Sequence, residues 1–221
     1  MYPQGDRGLV YPDLANSLDF EIAGRERSDA LVVGINPMPV YDARYWAEHN
    51  SDKYESYVHG LAELVELLAQ DGKKVFLFNT QVRDNLTIED LRAALADRNG
   101  EDFLEAFDIQ SHKVEGVDEL MRVIQSADIV IPTRFHGTVL PLLANKGVLG
   151  ICYQQKAADL LEDMEQGDYF QMIDDFDPKA LFEKYKSLET NLDEERKKIL
   201  LHSRRYQRLL SEQYDLLGDL I

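Results

Sequence analysis

Short, almost continuous apolar runs alternate with amphipathic stretches along most of this chain. Residues 30–35 (ALVVGI), 74–79 (KVFLFN), 128–132 (DIVIP) and 148–153 (VLGICY) carry apolar residues at successive positions, as strands buried on both faces do. A more polar strand is expected at 109–114 and a short one at 169–173. Between the strands the apolar period changes to that of a helix. Tyr57, Leu61, Leu64, Val65 and Leu68 stripe a helix over 53–70, opened by Asp52 and Glu55 in capping-box spacing and closed by Gly72. Thr87 has the chemistry to cap a helix through 97, and a shorter one is expected over 101–106. Val117, Leu120, Met121 and Ile124 face inward from a helix over 117–126, and another helix follows over 156–164. Strands joined by helices of roughly 10 to 17 residues require right-handed crossovers. The fold class is therefore α/β, a Rossmann-like, mostly parallel sheet with helices on both faces.

The ends of the chain read differently. Residues 1–29 contain Pro3, Gly5, Gly8, Pro12 and Gly24 without a sustained period, so they predict a linker with one short ordered segment around 11–20. The Rossmann-like domain is expected over 30–190. Two helices close the chain, over 178–190 and 193–217, and residues 191–221 predict a long terminal helix packing on the domain or on another lobe. Its apolar positions are Ile199, Tyr206, Leu209, Leu210, Tyr214 and Leu217.

Composition narrows the function classes. With 221 residues and 44% hydrophobic content the chain has enough apolar side chains for a core. No apolar run approaches the roughly 18 to 20 residues of a membrane span, and the opening MYPQGDRGLVYPDL lacks the apolar centre of a signal peptide. A cytoplasmic protein is expected. Cys152, the single cysteine, lies in the apolar run GVLGICY and reads as a small buried side chain, and no intrachain disulfide is possible. The net charge of −17, from 41 acidic and 24 basic residues, argues against a nucleic-acid binder. An anion would have to be captured locally, by a few cations and backbone amides.

Open parallel sheets bind ligands beyond the carboxyl ends of their strands. The residues just after the strands are Asn36 and Pro37, then Asn79, Thr80 and Gln81, then Thr133 to Gly137, then Tyr153 to Lys156. Neither a GxGxxG fingerprint nor a P-loop is present. Pro141 is tolerated in the first turn of a helix, which places a helix start near His136 to Thr138. Such a start offers unpaired N–H groups and the positive end of a dipole, and Arg134 adds a fork for carboxylate or phosphate. Each residue has a plainer reading that stays open: Arg134 as an internal ion-pair partner, His136 as a helix cap, Lys156 as a solvated cation, Tyr153 as core, and Asn36, Thr80 and Gln81 as turn residues. His49, His59, His112 and His202 make no metal spacing. The clusters Asp174-Asp175-Asp177 and Asp193-Glu194-Glu195 fit helix N-terminal charge, so no metal is predicted.

Taken together, Ala127-Asp128, Thr133-Arg134-Phe135-His136-Gly137 and Tyr153-Gln154-Gln155-Lys156 resemble the carboxyl-terminal half of the polysaccharide pyruvyl transferase family. Tyr11-Pro12-Asp13-Leu14-Ala15 resembles that family's interlobe segment, so the likeness extends from about residue 11 to about 164. It implies the C-terminal lobe of an enzyme of glycosyltransferase-B shape, with phosphoenolpyruvate as donor substrate, no cofactor, and a pair of glycan hydroxyls as acceptor. By the same resemblance His136 and Arg134 would be catalytic, His136 as general acid and Arg134 gripping donor carboxylate or phosphate. The N–H groups after Gly137 would hold the remaining donor oxygens, with Thr133 in the same motif, Lys156 would neutralise charge and Tyr153 would wall the pocket; Asn36, Thr80 and Gln81 are candidate substrate contacts only by their position after the strands. Only one lobe is expected here, so the activity implies a separate N-terminal lobe or a homo-oligomer. Two alternatives stand beside it: a nucleotide-sugar lobe of a glycosyltransferase, and a non-catalytic interaction module.

Overall fold

The apolar runs pair side by side into one sheet. The computed structural model describes residues 11–18 and 30–218. Strands β1 (Val32–Asn36), β2 (Lys74–Phe78), β3 (Gln110–His112), β4 (Ile129–Pro132) and β5 (Gly147–Val148) form a five-stranded sheet in the order β3-β2-β1-β4-β5. Every pairing is parallel, with Val33 opposite Val75 on one side and Ile129 on the other. The connections run through α1 (Ser51–Gln70), α2 (Asp84–Asn99), the single turn α3 (Phe103–Ala106), α4 (Val117–Ser126) and α5 (Phe135–Leu143). The order reverses between β1 and β4, so α1 leaves toward one face and α5 toward the other. That reversal is the crevice where such sheets hold ligands.

Strand alternation divides the core. Val33, Ile35, Val75, Leu77, Ile129 and Ile131 pack with the stripe of α1, where Leu61, Leu64 and Leu68 are fully buried. Each of those leucines contributes about 1.5–3 kcal/mol by leaving water. Phe76, Phe78 and Val130 face α4 and α5 through Leu120, Ile124 and Leu140. Gly34 serves that second layer: a Cβ there would lie 2.8 Å from the Phe76 ring.

Several elements differ from the sequence expectation for identifiable reasons. The run 148–153 is two strands, because after β5 the chain leaves the sheet and β6 (Gly150–Cys152) pairs with β7 (Phe170–Met172). Gly150 permits this, since a Cβ there would sit 2.8 Å from Leu161 of α6 (Gln155–Asp163) and 3.2 Å from Phe170. Asn50, not Asp52, caps α1, its side chain accepting the Lys53 N–H at 3.0 Å. Helix α2 starts three residues before Thr87, which is buried inside it. Val117 is 59% exposed rather than inward. Pro141 lies in the interior of α5, not its first turn, so it does not set the helix start at Phe135. The proline removes one backbone bond from a helix that ends two residues later.

The two expected terminal helices are one, α7 (Pro178–Gly218). Leu188, Leu192 and Ile199 continue a single buried stripe through the expected break. Thr190 and Asn191, which read as breakers, bond back to the carbonyls of Lys186 and Ser187 at 2.9 Å each. Asp193-Glu194-Glu195 is therefore mid-helix, and Glu195 is buried against Gln166 and Lys198. Asp177 does cap the helix, accepting the Ala180 N–H at 2.7 Å. Within the expected linker, Leu14–Ser17 forms a 3-10 turn docked on α5 and α7; residues 1–10 and 19–29 and the side chain of Leu217 lie outside the described residues.

Candidate active site

The start of α5 is built on the ends of two adjacent strands. Thr133, 2% exposed, shares a 2.7 Å hydrogen bond with the Tyr57 hydroxyl, and its N–H donates to the Asn36 carbonyl at 3.0 Å. Burial holds the Tyr57 phenol well above its ordinary range. Asn36 is fully buried and donates from Nδ2 to the Phe78 carbonyl at 3.0 Å. Its Oδ1 has no hydrogen-bond partner among the described residues and faces Gly137, where a Cβ would approach to 2.5 Å. Gly137 is thus demanded by close packing, and this contact fixes where the helix can begin. Arg134 is the N-cap, with extended backbone, and its carbonyl accepts the first helical bond from Thr138 at 3.0 Å. The N–H groups of Phe135, His136 and Gly137 precede that bond and have no intrahelical acceptor.

The Arg134 side chain does not offer its fork to a ligand. Its Nε lies 2.7 and 2.8 Å from the carboxylate oxygens of Asp84, and Nη2 bonds Oδ1. Asp84 is fully buried and also accepts the Thr80 N–H at 3.1 Å, the Thr80 hydroxyl at 3.3 Å and the Gln81 N–H at 2.9 Å. The expected bidentate grip on a donor is corrected accordingly: a buried carboxylate from the first turn of α2 occupies that edge of the guanidinium. The residual charge of the pair is near zero.

His136 stands in the open. Its side chain is 60% exposed, its ring meets Phe135 edge-on at 5.6 Å, and Nε2 lies 3.8 Å from the Asp13 carboxylate. Lys156, exposed at the start of α6, holds its ammonium over that same Phe135 ring, 3.4 Å from its centre. One phenyl ring therefore places an imidazole and an ammonium beside the open N–H groups of α5. Tyr153 is half-buried and meets Trp46 edge-on, with ring centres 6.4 Å apart. The sequence-predicted residues His136, Gly137, Tyr153 and Lys156 thus gather at one edge, above buried Asn36 and Thr133.

A family model of polysaccharide pyruvyl transferase matches residues 4–155. The chain belongs to that family. The match runs through Asp13, the whole of the α5 start and Tyr153, and ends one residue before Lys156. Among solved structures, a mutant of the O-GlcNAc transferase from Thermobaculum terrenum shares the fold, with a TM-score of 0.55 and 16% identity over 85% of this chain. The chain spans about a third of that enzyme, 33% of its length. A search of curated proteins returned no match.

In this pyruvyl transferase family member, Thr80 and Gln81 connect to the α5 start through Asp84, which their N–H groups share with Arg134. They border a cleft of about 550 Å³ beyond β2 and β3, with Asn85, Lys113 and Val117. Among the described residues no group of three or more His, Cys, Asp or Glu side chains is arranged to hold a metal, and no helix is long and apolar enough to cross a membrane. Cys152 is buried, and desolvation pushes its thiol up to about 12. Sequence reasoning missed Asp84, three residues before the expected cap Thr87, because nothing local marks it as the partner of a residue fifty positions away. It also passed over Phe135 and Trp46, the first inside the quoted motif and the second the only tryptophan of the chain.

Proposed function

We propose that this chain supplies the donor-binding and proton-donating half of a polysaccharide pyruvyl transferase. Phosphoenolpyruvate lies at the start of α5, its phosphate and carboxylate met by the free N–H groups, the helix dipole and Lys156. The observation that carries the reading is the exposed His136 at that helix start, with Lys156 held beside it across Phe135. Family membership supports the reaction class.

His136 delivers a proton to the methylene carbon of the enol phosphate. Positive character then develops at C2, where one sugar hydroxyl adds and passes its proton to solvent or a carboxylate. Phosphate leaves with its bonding electron pair and takes up a proton, and the second hydroxyl closes the ketal with loss of its own proton. An imidazole suits the first step because it carries and releases a proton near neutral pH. Asp13 faces the ring, 3.8 Å from Nε2. Arg134 acts through position, fixing the cap of α5 by its pair with Asp84. The acceptor is a glycan presented with the help of a second lobe or a second copy of the chain. The lone buried thiol is in keeping with a cytoplasmic enzyme.

The test uses the chain reconstituted with the lobe that completes it. His136→Ala should abolish turnover while donor binding stays measurable. Full activity in that variant removes His136 from the mechanism.

A further inference from the structure

The loop from β1 to α1, residues 37–50, is fourteen residues long, stands at the carboxyl end of the central strand, and has no regular structure. Loops of that length in a compact α/β domain are usually functional. This one is braced from within. Asp42, 3% exposed, accepts the Arg44 N–H and Nε at 2.8 Å each, and its carbonyl accepts the N–H groups of Tyr45 and Trp46 at 3.0 and 2.9 Å. Asn50 closes the loop onto the Tyr41 carbonyl at 2.9 Å, and the Trp46 indole N–H is tied to the Pro39 carbonyl. Met38 and Val40 anchor its inner half in the core.

On this rigid support the tip turns two large rings outward, Tyr45 at 41% and Trp46 at 36% exposed. Their neighbours place them at the crevice. Trp46 touches Tyr153, three residues before Lys156, which in turn lies over Phe135 beside His136. Tyr45 stands under the guanidinium of Arg83, next to the buried Asp84. The loop and the start of α5 are therefore the two walls of one crevice, one aromatic and one cationic.

The two walls select different chemistry. An aromatic face carries negative charge density and repels phosphate or carboxylate, so the donor belongs on the α5 side. That face attracts polarised C–H bonds, and the indole edge is already satisfied. A neutral ring with hydroxyls at its rim and C–H bonds on its face meets both conditions. We propose that Trp46, backed by Tyr153, is the platform on which a pyranose ring of the acceptor lies, with its hydroxyls turned toward the donor. This rests on the pyruvyl-transfer reading and adds the acceptor side to it.

Trp46 is the only tryptophan in the chain, so its emission reports directly on the platform. The full chain is titrated with the methyl pyranosides of glucose, galactose and mannose, and separately, by calorimetry, with phosphoenolpyruvate. At least one pyranoside should change the emission saturably, and saturation-transfer NMR should mark its C–H face. Read by saturation-transfer NMR titration, because neither variant keeps the indole, Trp46→Leu, apolar but not aromatic, should weaken that sugar about tenfold, and Trp46→Phe should hold it within about threefold. Phosphoenolpyruvate affinity should be the same in both variants. Silence toward every pyranoside while phosphoenolpyruvate still binds overturns the platform and leaves the donor reading standing. Equal sugar binding by Trp46→Leu overturns it too, as does a Trp46 response to phosphoenolpyruvate alone. Sugar binding through Trp46 without any phosphoenolpyruvate binding keeps the platform and removes the donor reading.

Discussion

Replacing Asp84 tests whether the start of α5 is held by a buried ion pair. The carboxylate is fully buried, receives both nitrogens of one edge of Arg134, and satisfies two backbone N–H groups of the preceding turn. Asp84→Ala strands a guanidinium whose side chain is only 10% exposed, which costs about 3–5 kcal/mol. That is a large share of the roughly 5–15 kcal/mol stability of a typical domain. The Thr80 and Gln81 N–H groups add little, because their residues reach the surface and water can replace the carboxylate there. Arg134→Met should cost a similar amount by leaving Asp84 charged and unpaired. The double variant Asp84→Ala with Arg134→Met should cost far less than the two single losses together, giving a coupling of about 2–3 kcal/mol. Urea unfolding at constant m measures all four corners of this cycle. Single losses below about 1 kcal/mol, or additive losses, would refute the ion-pair account and return Arg134 to a ligand role.

Four further outcomes follow from the same geometry. His136→Gln should change stability by no more than about 0.5 kcal/mol in the same urea assay, since the side chain is 60% exposed; a larger loss would make it structural. Gly137→Ala should destabilise by about 1–3 kcal/mol through its 2.5 Å approach to Asn36 Oδ1, and adding Asn36→Ala should recover part of that loss. Iodoacetamide near neutral pH should leave Cys152 unmodified in the native chain and label it in urea, because burial pushes the thiol up to about 12; rapid native labelling would contradict that burial. Asp71 at the end of α1 is held below the usual carboxylate range, chiefly by the Lys186 ammonium of α7 at 2.8 Å. A depressed carboxyl stabilises the fold above about pH 4 and loses that contribution as pH falls through its folded value. Lys186→Ala should therefore be less stable than the parent at neutral pH and converge with it in acid; a gap that persists in acid would point to lost packing instead.

The strand runs were legible because strands buried on both faces need apolar residues at every position, and the alternation with helices then dictates a parallel sheet. The edge holding His136, Gly137, Tyr153 and Lys156 was legible for the same reason, since it follows from which residues come after which strands. An internal ion pair was one open reading of Arg134, but its partner was not legible, because Asp84 and Arg134 meet only after β2, β1 and β4 align. Pro141 misled for a local reason: a single proline in a nine-residue helix forfeits one hydrogen bond, which the packing of Leu140, Leu142 and Leu143 outweighs. The continuity of α7 was hidden because Thr190, Asn191 and Asp193 have capping chemistry that the buried stripe overrides.

Calorimetric titration of the full chain with phosphoenolpyruvate, run beside uridine diphosphate, bears most directly on the claim that the start of α5 is a donor site. The account predicts saturable binding of phosphoenolpyruvate, weakened about tenfold by Lys156→Ala, and no heat from the nucleotide. Binding of the nucleotide with none of phosphoenolpyruvate, or equal phosphoenolpyruvate affinity in Lys156→Ala, would contradict it.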